Sequence, residues 1–379
     1  MNSPASGKRL FILRARLARR LTLLAVAGFA GCMLVCGALA GGMLLALGKS
    51  WDAIASGHPF SSGLWSLTAV TLGLVAISIG GVVFSVSPRP EGVRLPRVAA
   101  ENLFVLLDGM AARLAIAPLR QVLITDEMNA YIHQRPLFGL VGPLRSYLMI
   151  GLPLAHSLSP AQFAAVLAHE MAHLSTQRRG WSGAAGAWRA WWARTLDRAC
   201  SRFESIAPWL DARSHNFCVA MVRLARIEEF EADAVAAKLV GQDLMGEALV
   251  EISLKSHFLE HDYWPHVEAS NAASSRPSLR PYRDMALGVE AGFMRTVADH
   301  AVAIEEPAVE RFAFHPSLQQ RLSALRVPCR VPEHNPTSAA TYFLAPLLPN
   351  LAWVFDRAWW RASRPSRRMR YEMYRDNYS

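Results

Sequence analysis

SPAQFAAVLAHEMAHLST, running from Ser159 to Thr176, is the stretch around which the rest of the chain is arranged. It begins with Ser159, has Pro160 at the first helical position and places Gln162 three residues after the serine. This is a capping box, in which side chains satisfy the N–H groups that a first helical turn leaves unpaired. Phe163, Val166, Leu167 and Leu174 follow at helical spacing. Within this helix lies His169-Glu170-Met171-Ala172-His173, an H-E-x-x-H pattern. Residues four apart share a helical face, so both imidazoles can reach one metal ion, with Glu170 beside it. Zinc suits two neutral imidazoles and leaves positions for a third ligand and a water. The alternative is two solvated histidines on an ordinary helix.

Outward from that helix, the composition departs from that of an ordinary soluble enzyme. The 379 residues are 52% hydrophobic and only 18% charged. Lys+Arg exceed Asp+Glu by 40 to 30, and the excess is concentrated at the ends. Lys8, Arg9, Arg14, Arg16, Arg19 and Arg20 precede the first apolar run, and a second basic group lies between Arg357 and Arg375. No nucleic-acid motif accompanies this charge, so nucleic acid is not expected as a partner. The five cysteines are scattered singly, with no zinc pair and no disulfide framework, as in a reducing compartment.

Leu21 to Leu47 contains no charged residue, and a second apolar run extends from Leu64 to Val86. A cleaved signal peptide competes for the first run, because Ala38-Leu39-Ala40 resembles a cleavage site. The run is too long for one and has a successor, so a two-helix transmembrane hairpin over residues 21–87 is expected. Basic residues flank its outer ends, while the loop holding Lys49, Asp52 and His58 is nearly neutral. The positive-inside rule then puts the basic N-terminus (1–20) and everything after the hairpin in the cytoplasm.

After a proline-rich linker, Ala99 to Leu114 reads as an amphipathic helix and Val122 to Ile124 as a strand. Tyr147, Leu148, Met149, Ile150 and Gly151 read as a second strand just before the metal helix. Such a strand can serve as an edge that holds an extended substrate by main-chain pairing, or simply as a support for the helix. Residues 177–226 alternate Trp181, Trp188, Trp191 and Trp192 with arginines, which suits a membrane interface. Core packing of those tryptophans is the rival reading.

A helix then runs through Leu224 to Val240. Glu229 and Asp233 lie four apart on it, on a face shared with Ala225, Ala232 and Ala236. Small residues there allow close approach, making Glu229 the candidate third ligand and Asp233 the acceptor for a ligand histidine N–H. Glu228 and Glu231 are rotated away by about 100° and 200°. His257-Phe258-Leu259-Glu260-His261 matches the inverted H-x-x-E-H pattern. It runs into Asp262, Tyr263, Trp264 and Pro265, so the helix is expected to end at His261 and to be too frayed for ligands. His315-Pro316 opens a late helix that carries Arg321. Residues 331–379 form an aromatic and basic tail, read either as a membrane-surface contact or as loosely packed.

Together these elements resemble the membrane-tethered gluzincins of metallopeptidase family forty-eight, the group of HtpX and the type I CAAX prenyl proteases. The resemblance rests on Asn129-Ala130, Gly151-Leu152, Val166 to His173, Glu229-Phe230-Glu231-Ala232-Asp233, and His315-Pro316 with Arg321. It implies a mainly α catalytic domain with a small β-sheet over residues 97–330, behind the transmembrane hairpin. It also implies one Zn2+ per chain held by His169, His173 and Glu229, with Glu170 as general base and His315 and Arg321 bordering the cleft. The implied partners are polypeptide substrates, membrane proteins among them, and the lipid bilayer. The implied setting is the inner membrane of a bacterium. HtpX-type members carry further spans where this chain has its charged, tryptophan-rich segment, and two spans are too few for a prenyl-protease chamber. A membrane-bound adaptor that binds polypeptide without cutting it is the rival from another class; an intact Glu170 argues against it.

Overall fold

The computed structural model describes residues 4–137, 144–177, 182–272, 279–294, 296, 315–333 and 335–378. The chain is mainly helical with one small mixed sheet, and it divides into two compact units. These do not follow the linear order expected from sequence. Unit 1 comprises Met1–Pro88, Arg135–Pro143 and Gln177–Ile227, and unit 2 the remainder.

In unit 1, α1 (Pro4–Ala55) and α2 (Pro59–Val83) form an antiparallel hairpin. A Cβ added at Gly42 would touch Leu72, and one at Gly73 would touch Met43, so the helices pack closely along their length. Near the turn, Ser50 Oγ meets Ser62 Oγ at 3.1 Å and Ser66 Oγ at 2.7 Å. Both helices are long and apolar enough to cross a membrane, yet only 6% and 17% of their most apolar windows are buried. A soluble protein's core helix would be mostly buried, so these exposed apolar surfaces suggest a membrane protein.

α6 (Ser182–Arg202) belongs to this unit as well. Trp188 and Trp191 each set a ring edge-on to Phe29, and Trp191 Nε1 donates to the Val83 carbonyl at 3.1 Å. Arg189 is buried and donates to Thr22 Oγ1. The sequence left interface and packing open for these tryptophans. Here Trp191 and Trp192 pack on the hairpin, while Trp188 stays 37% exposed. Below them, the first part of α7 (Ala207–Val240) adds Phe217 and Leu224 to a small cluster around Leu21.

Unit 2 holds the sheet, β1 (Val93–Arg94), β2 (Gln121–Thr125), β3 (Ala130–Pro136) and β4 (Leu144–Gly151), in the order β1-β2-β4-β3. β1 pairs antiparallel and β4 parallel with β2. The two strands expected from sequence are thus the two central ones. β4 is interior, with hydrogen-bonded neighbours on both sides, so of the two expectations for Tyr147 to Gly151 the substrate-pairing edge is excluded and the supporting strand remains. The edges are β1 and β3. β4 ends at Gly151, whose N–H donates to the Asn129 carbonyl at 2.8 Å. A Cβ there would fall 1.6 Å from the Glu127 carbonyl oxygen, so no larger residue fits this close crossing.

From Gly151 the chain enters α4 (Leu152–Ser157) and then α5 (Pro160–Gln177), the helix that carries the H-E-x-x-H pattern. The expected capping box is present. The Ser159 N–H donates to Gln162 Oε1 at 3.0 Å, and the Gln162 N–H donates to Ser159 Oγ at 3.3 Å. Phe163, Leu167, Ala168 and Met171 are almost wholly buried against the sheet, α3 (Glu101–Arg113) and α8 (Gln242–Phe258). The last two helices of the unit, α12 (Ala339–Leu344) and α13 (Leu348–Tyr378), join the same core through Ala339, Ala340, Phe343, Leu351 and Phe355. Residues 331–379 are therefore, at least as far as Trp360, packed structure, and Trp360 Nε1 donates to the Leu279 carbonyl at 2.9 Å.

Candidate metal centre

α5 presents His169 and His173 one turn apart, and α7 presents Glu229 opposite them. Their ligand atoms lie close together. His169 Nε2 is 3.2 Å from His173 Nε2 and 3.6 Å from Glu229 Oε2, and His173 Nε2 is 3.3 Å from Glu229 Oε1. Zinc–ligand bonds of about 2.0–2.1 Å in a tetrahedron put neighbouring ligand atoms about 3.3 Å apart. The three side chains therefore already hold the spacing that one such ion requires. No other group of three metal-binding side chains was found among the described residues.

The surroundings fit a divalent cation. Glu229 Oε2 is buried and faces His315 Nδ1 at 3.0 Å and His169 Nε2 at 3.6 Å. Glu170, Glu229 and Asp233 against Arg321 leave a local charge of −2 with neutral imidazoles. Burial opposes charge on His169, yet Asp233 and Glu229 push its pKa up to about 9. Burial likewise opposes charge on Glu229, but His169, His173 and His315 hold its carboxylate well below the usual range. Each effect says that this pocket favours a positive charge among these groups.

Behind the cluster, Asp233 orients the first histidine. Its Oδ1 lies 2.9 Å from His169 Nδ1, which turns Nε2 toward Glu229. Asp233 is itself gripped by Arg321, whose Nη2 donates to Oδ1 at 2.6 Å and Nε to Oδ2 at 2.8 Å. Arg321 comes from α11 (Leu318–Leu325), a helix opened by a second capping box between Ser317 and Gln320. Its guanidinium is thus committed to Asp233. His315 differs: its side chain is 71% exposed, with Nδ1 3.0 Å from Glu229 Oε2. Glu170 is half-buried, and desolvation together with Glu229 raises its pKa against the pull of the two histidines.

The site residues expected from sequence thus gather as expected: His169, Glu170, His173, Glu229, Asp233, His315 and Arg321 form one cluster. Of the three neighbouring glutamates, only Glu229 meets the histidines. The inverted pattern is set aside for a different reason from the one expected. The helix does not stop at His261; it continues through a π-turn at Leu259–Tyr263 into α9 (Trp264–Ala272). Pro265 is tolerated there in the new helix's first turn. The His257 and His261 rings stack at 4.0 Å and 14° and do not converge on a common point. The grip of Arg321 on Asp233 spans 88 residues, and no local pattern announces it.

The comparisons with known proteins agree with this geometry. Residues 101–328, more than half of the chain, match Peptidase family M48. The chain belongs to that family of metallopeptidases. No curated protein and no solved structure matches it.

Proposed function

We propose that the protein is a membrane-anchored zinc endopeptidase that cleaves polypeptides with Glu170 as the base. The observation that carries this reading is the spacing of His169, His173 and Glu229. A zinc ion held by those three residues supplies Lewis-acid polarisation of the scissile carbonyl and brings a water's pKa towards about 7. Glu170 takes the proton of the attacking water and hands it to the leaving amine, a role suited to a carboxylate whose pKa is raised. His315, exposed beside Glu229, donates to the developing oxyanion. Arg321 is a positioning residue, because two of its donors fix Asp233, which in turn orients His169. Main-chain pairing with an extended substrate falls to β3, a strand with one sheet neighbour, and not to β4.

α1 and α2 anchor the chain, and the basic flanks put the catalytic unit on the cytoplasmic side of a bacterial inner membrane. Substrates that reach such a site include damaged or misassembled membrane proteins, so quality control is the role that fits. A polypeptide-binding adaptor has no use for the Glu170 carboxylate.

The test measures zinc content and cleavage of an unfolded protein by the purified full chain. Glu170→Gln should retain one zinc per chain and lose about 10²–10⁴-fold in cleavage rate. Glu229→Gln should lose zinc to a chelator that wild type withstands, while Glu228→Gln keeps it. Full activity in Glu170→Gln would remove Glu170 from the role of base, whereas a wild type that binds zinc and cuts nothing would favour the adaptor.

A further inference from the structure

α6 carries Arg194, Arg198 and Arg202 at four-residue spacing, which aligns them along one side of the helix. Arg198, Ser201 and Arg202 face the last turns of α2, where Ile77, Ser78, Gly81 and Val82 form the other wall. Between them lies an open cleft of about 550 Å³. A Cβ added at Gly81 would meet nothing within 4 Å, so the α2 wall leaves room for a guest. Arg198 uses one donor on the Ser85 carbonyl at 3.4 Å. A guanidinium has five. Among the described residues no carboxylate forms an ion pair with Arg198 or Arg202. Burial and the adjacent Arg198 both lower the pKa of Arg194, as expected where guanidinium groups crowd together.

The depth of this cleft follows from helix geometry, given the membrane-spanning role of α1 and α2 proposed above. From Pro59 at the polar turn to Ser78, α2 rises about 30 Å, the thickness of a bilayer's hydrocarbon core. The arginines therefore stand at headgroup level on the basic side, and Ile77, 73% exposed, lies at the hydrocarbon boundary. One wall offers guanidinium donors, and the other offers apolar surface running into the membrane. That pairing matches a phosphate with an acyl chain attached.

We propose that this cleft binds an anionic phospholipid, with Arg198 and Arg202 holding the headgroup phosphate and an acyl chain lying along Ile77 and Val82. The carbonyl end of α2 repels an anion, so one arginine alone is a poor host and the two act together.

The experiment uses the full chain purified in a zwitterionic detergent, with retained lipids counted by native mass spectrometry and protection followed by thermal unfolding. Wild type should retain phosphatidylglycerol in preference to phosphatidylcholine and unfold at a higher temperature when it is added. Arg198→Gln and Arg202→Gln should each weaken that binding about tenfold, and the double variant more. Arg213→Gln removes the same charge from an exposed site on α7 and should change nothing. Equal losses in Arg213→Gln would reduce the effect to general charge and overturn the site. Equal protection by inorganic phosphate alone would overturn the lipid in favour of a free anion. Alkaline carbonate extraction of membranes tests the anchor separately. A wild type released by carbonate refutes the spanning helices and the cleft with them, whereas a retained wild type without lipid preference refutes the cleft alone.

Discussion

Asp233 in unit 2 is 1% exposed, yet it is met by Arg321 on one side and His169 on the other. Phe60 in unit 1 is 89% exposed and Ile77 73%, with no protein surface to cover them. The first region brings charges inward and compensates each with another; the second turns apolar side chains outward and keeps its arginines at one end. Both arrangements are costly in the other's solvent. Buried charge tolerates no missing partner, whereas apolar surface in hydrocarbon tolerates change in most directions except where two helices touch. The sensitivity of the two units to substitution should therefore differ in kind.

The largest difference is expected at the arginines. Arg321→Met leaves Asp233 buried and uncompensated and should cost about 3–5 kcal/mol of stability, read as a lowered unfolding midpoint of the metal-free chain. Arg321→Lys should recover only part of this, because an ammonium cannot make the two-pronged contact with the carboxylate. Arg213→Met in unit 1 removes an exposed guanidinium that lies over the Trp209 ring and should cost no more than about 1 kcal/mol. Similar losses at the two positions would erase the distinction.

This contrast also marks what the sequence could reveal. The H-E-x-x-H pair, the capping box and the Glu229–Asp233 spacing are all local, set by the helical period within a few residues, and the structure brings their side chains together. The hairpin is legible because its two long uncharged runs are a property of the sequence itself. What escaped was non-local. β1 is two residues long and β3 shows no clean alternation of apolar and polar residues, so neither stands out, and the interior place of β4 depends on them. The tail beyond residue 331 carries tryptophans and arginines that suggest a surface, but Leu351 and Phe355 lie on the face turned into the core. The placement of residues 177–227 with the hairpin depends on aromatic contacts across more than 150 positions, such as Phe29 with Trp188.

A second prediction exploits the buried titratable groups of unit 2. His156 on α4 is 8% exposed, its Nδ1 has no hydrogen-bond partner, and burial lowers its pKa from 6.5 to about 4. The unfolded chain therefore binds a proton that the folded chain refuses between these two values. Stability from this residue is fully present above pH 6.5 and is lost as the pH falls towards 4, by about 3 kcal/mol in all. His156→Gln should flatten that part of the stability–pH curve in denaturation between pH 4 and 7. No histidine or carboxylate of unit 1 is buried among the described residues, so acid should loosen unit 2 first. Parallel curves for wild type and His156→Gln would show that folding leaves the affinity of this imidazole for a proton unchanged.

The smallest effect is expected where two helices of unit 1 meet, and its sign is the informative part. Replacing glycine by alanine inside a helix ordinarily stabilises it by up to about 1 kcal/mol. At Gly31 on α1 an added Cβ meets nothing within 4 Å, so Gly31→Ala should be neutral or gain up to that amount. At Gly28, one turn earlier, the added Cβ would lie 2.4–2.7 Å from three ring atoms of Trp192. A rigid indole packed against Leu21 and its neighbours cannot swing aside as a flexible chain end can. Overpacking of this kind costs about 1–3 kcal/mol, which outweighs the gain in helix propensity. Gly28→Ala should therefore lower the unfolding midpoint in detergent and alter the tryptophan fluorescence, while Gly31→Ala does neither. If both variants behave alike, Trp192 does not rest on Gly28, and α6 is not held against α1 by that contact.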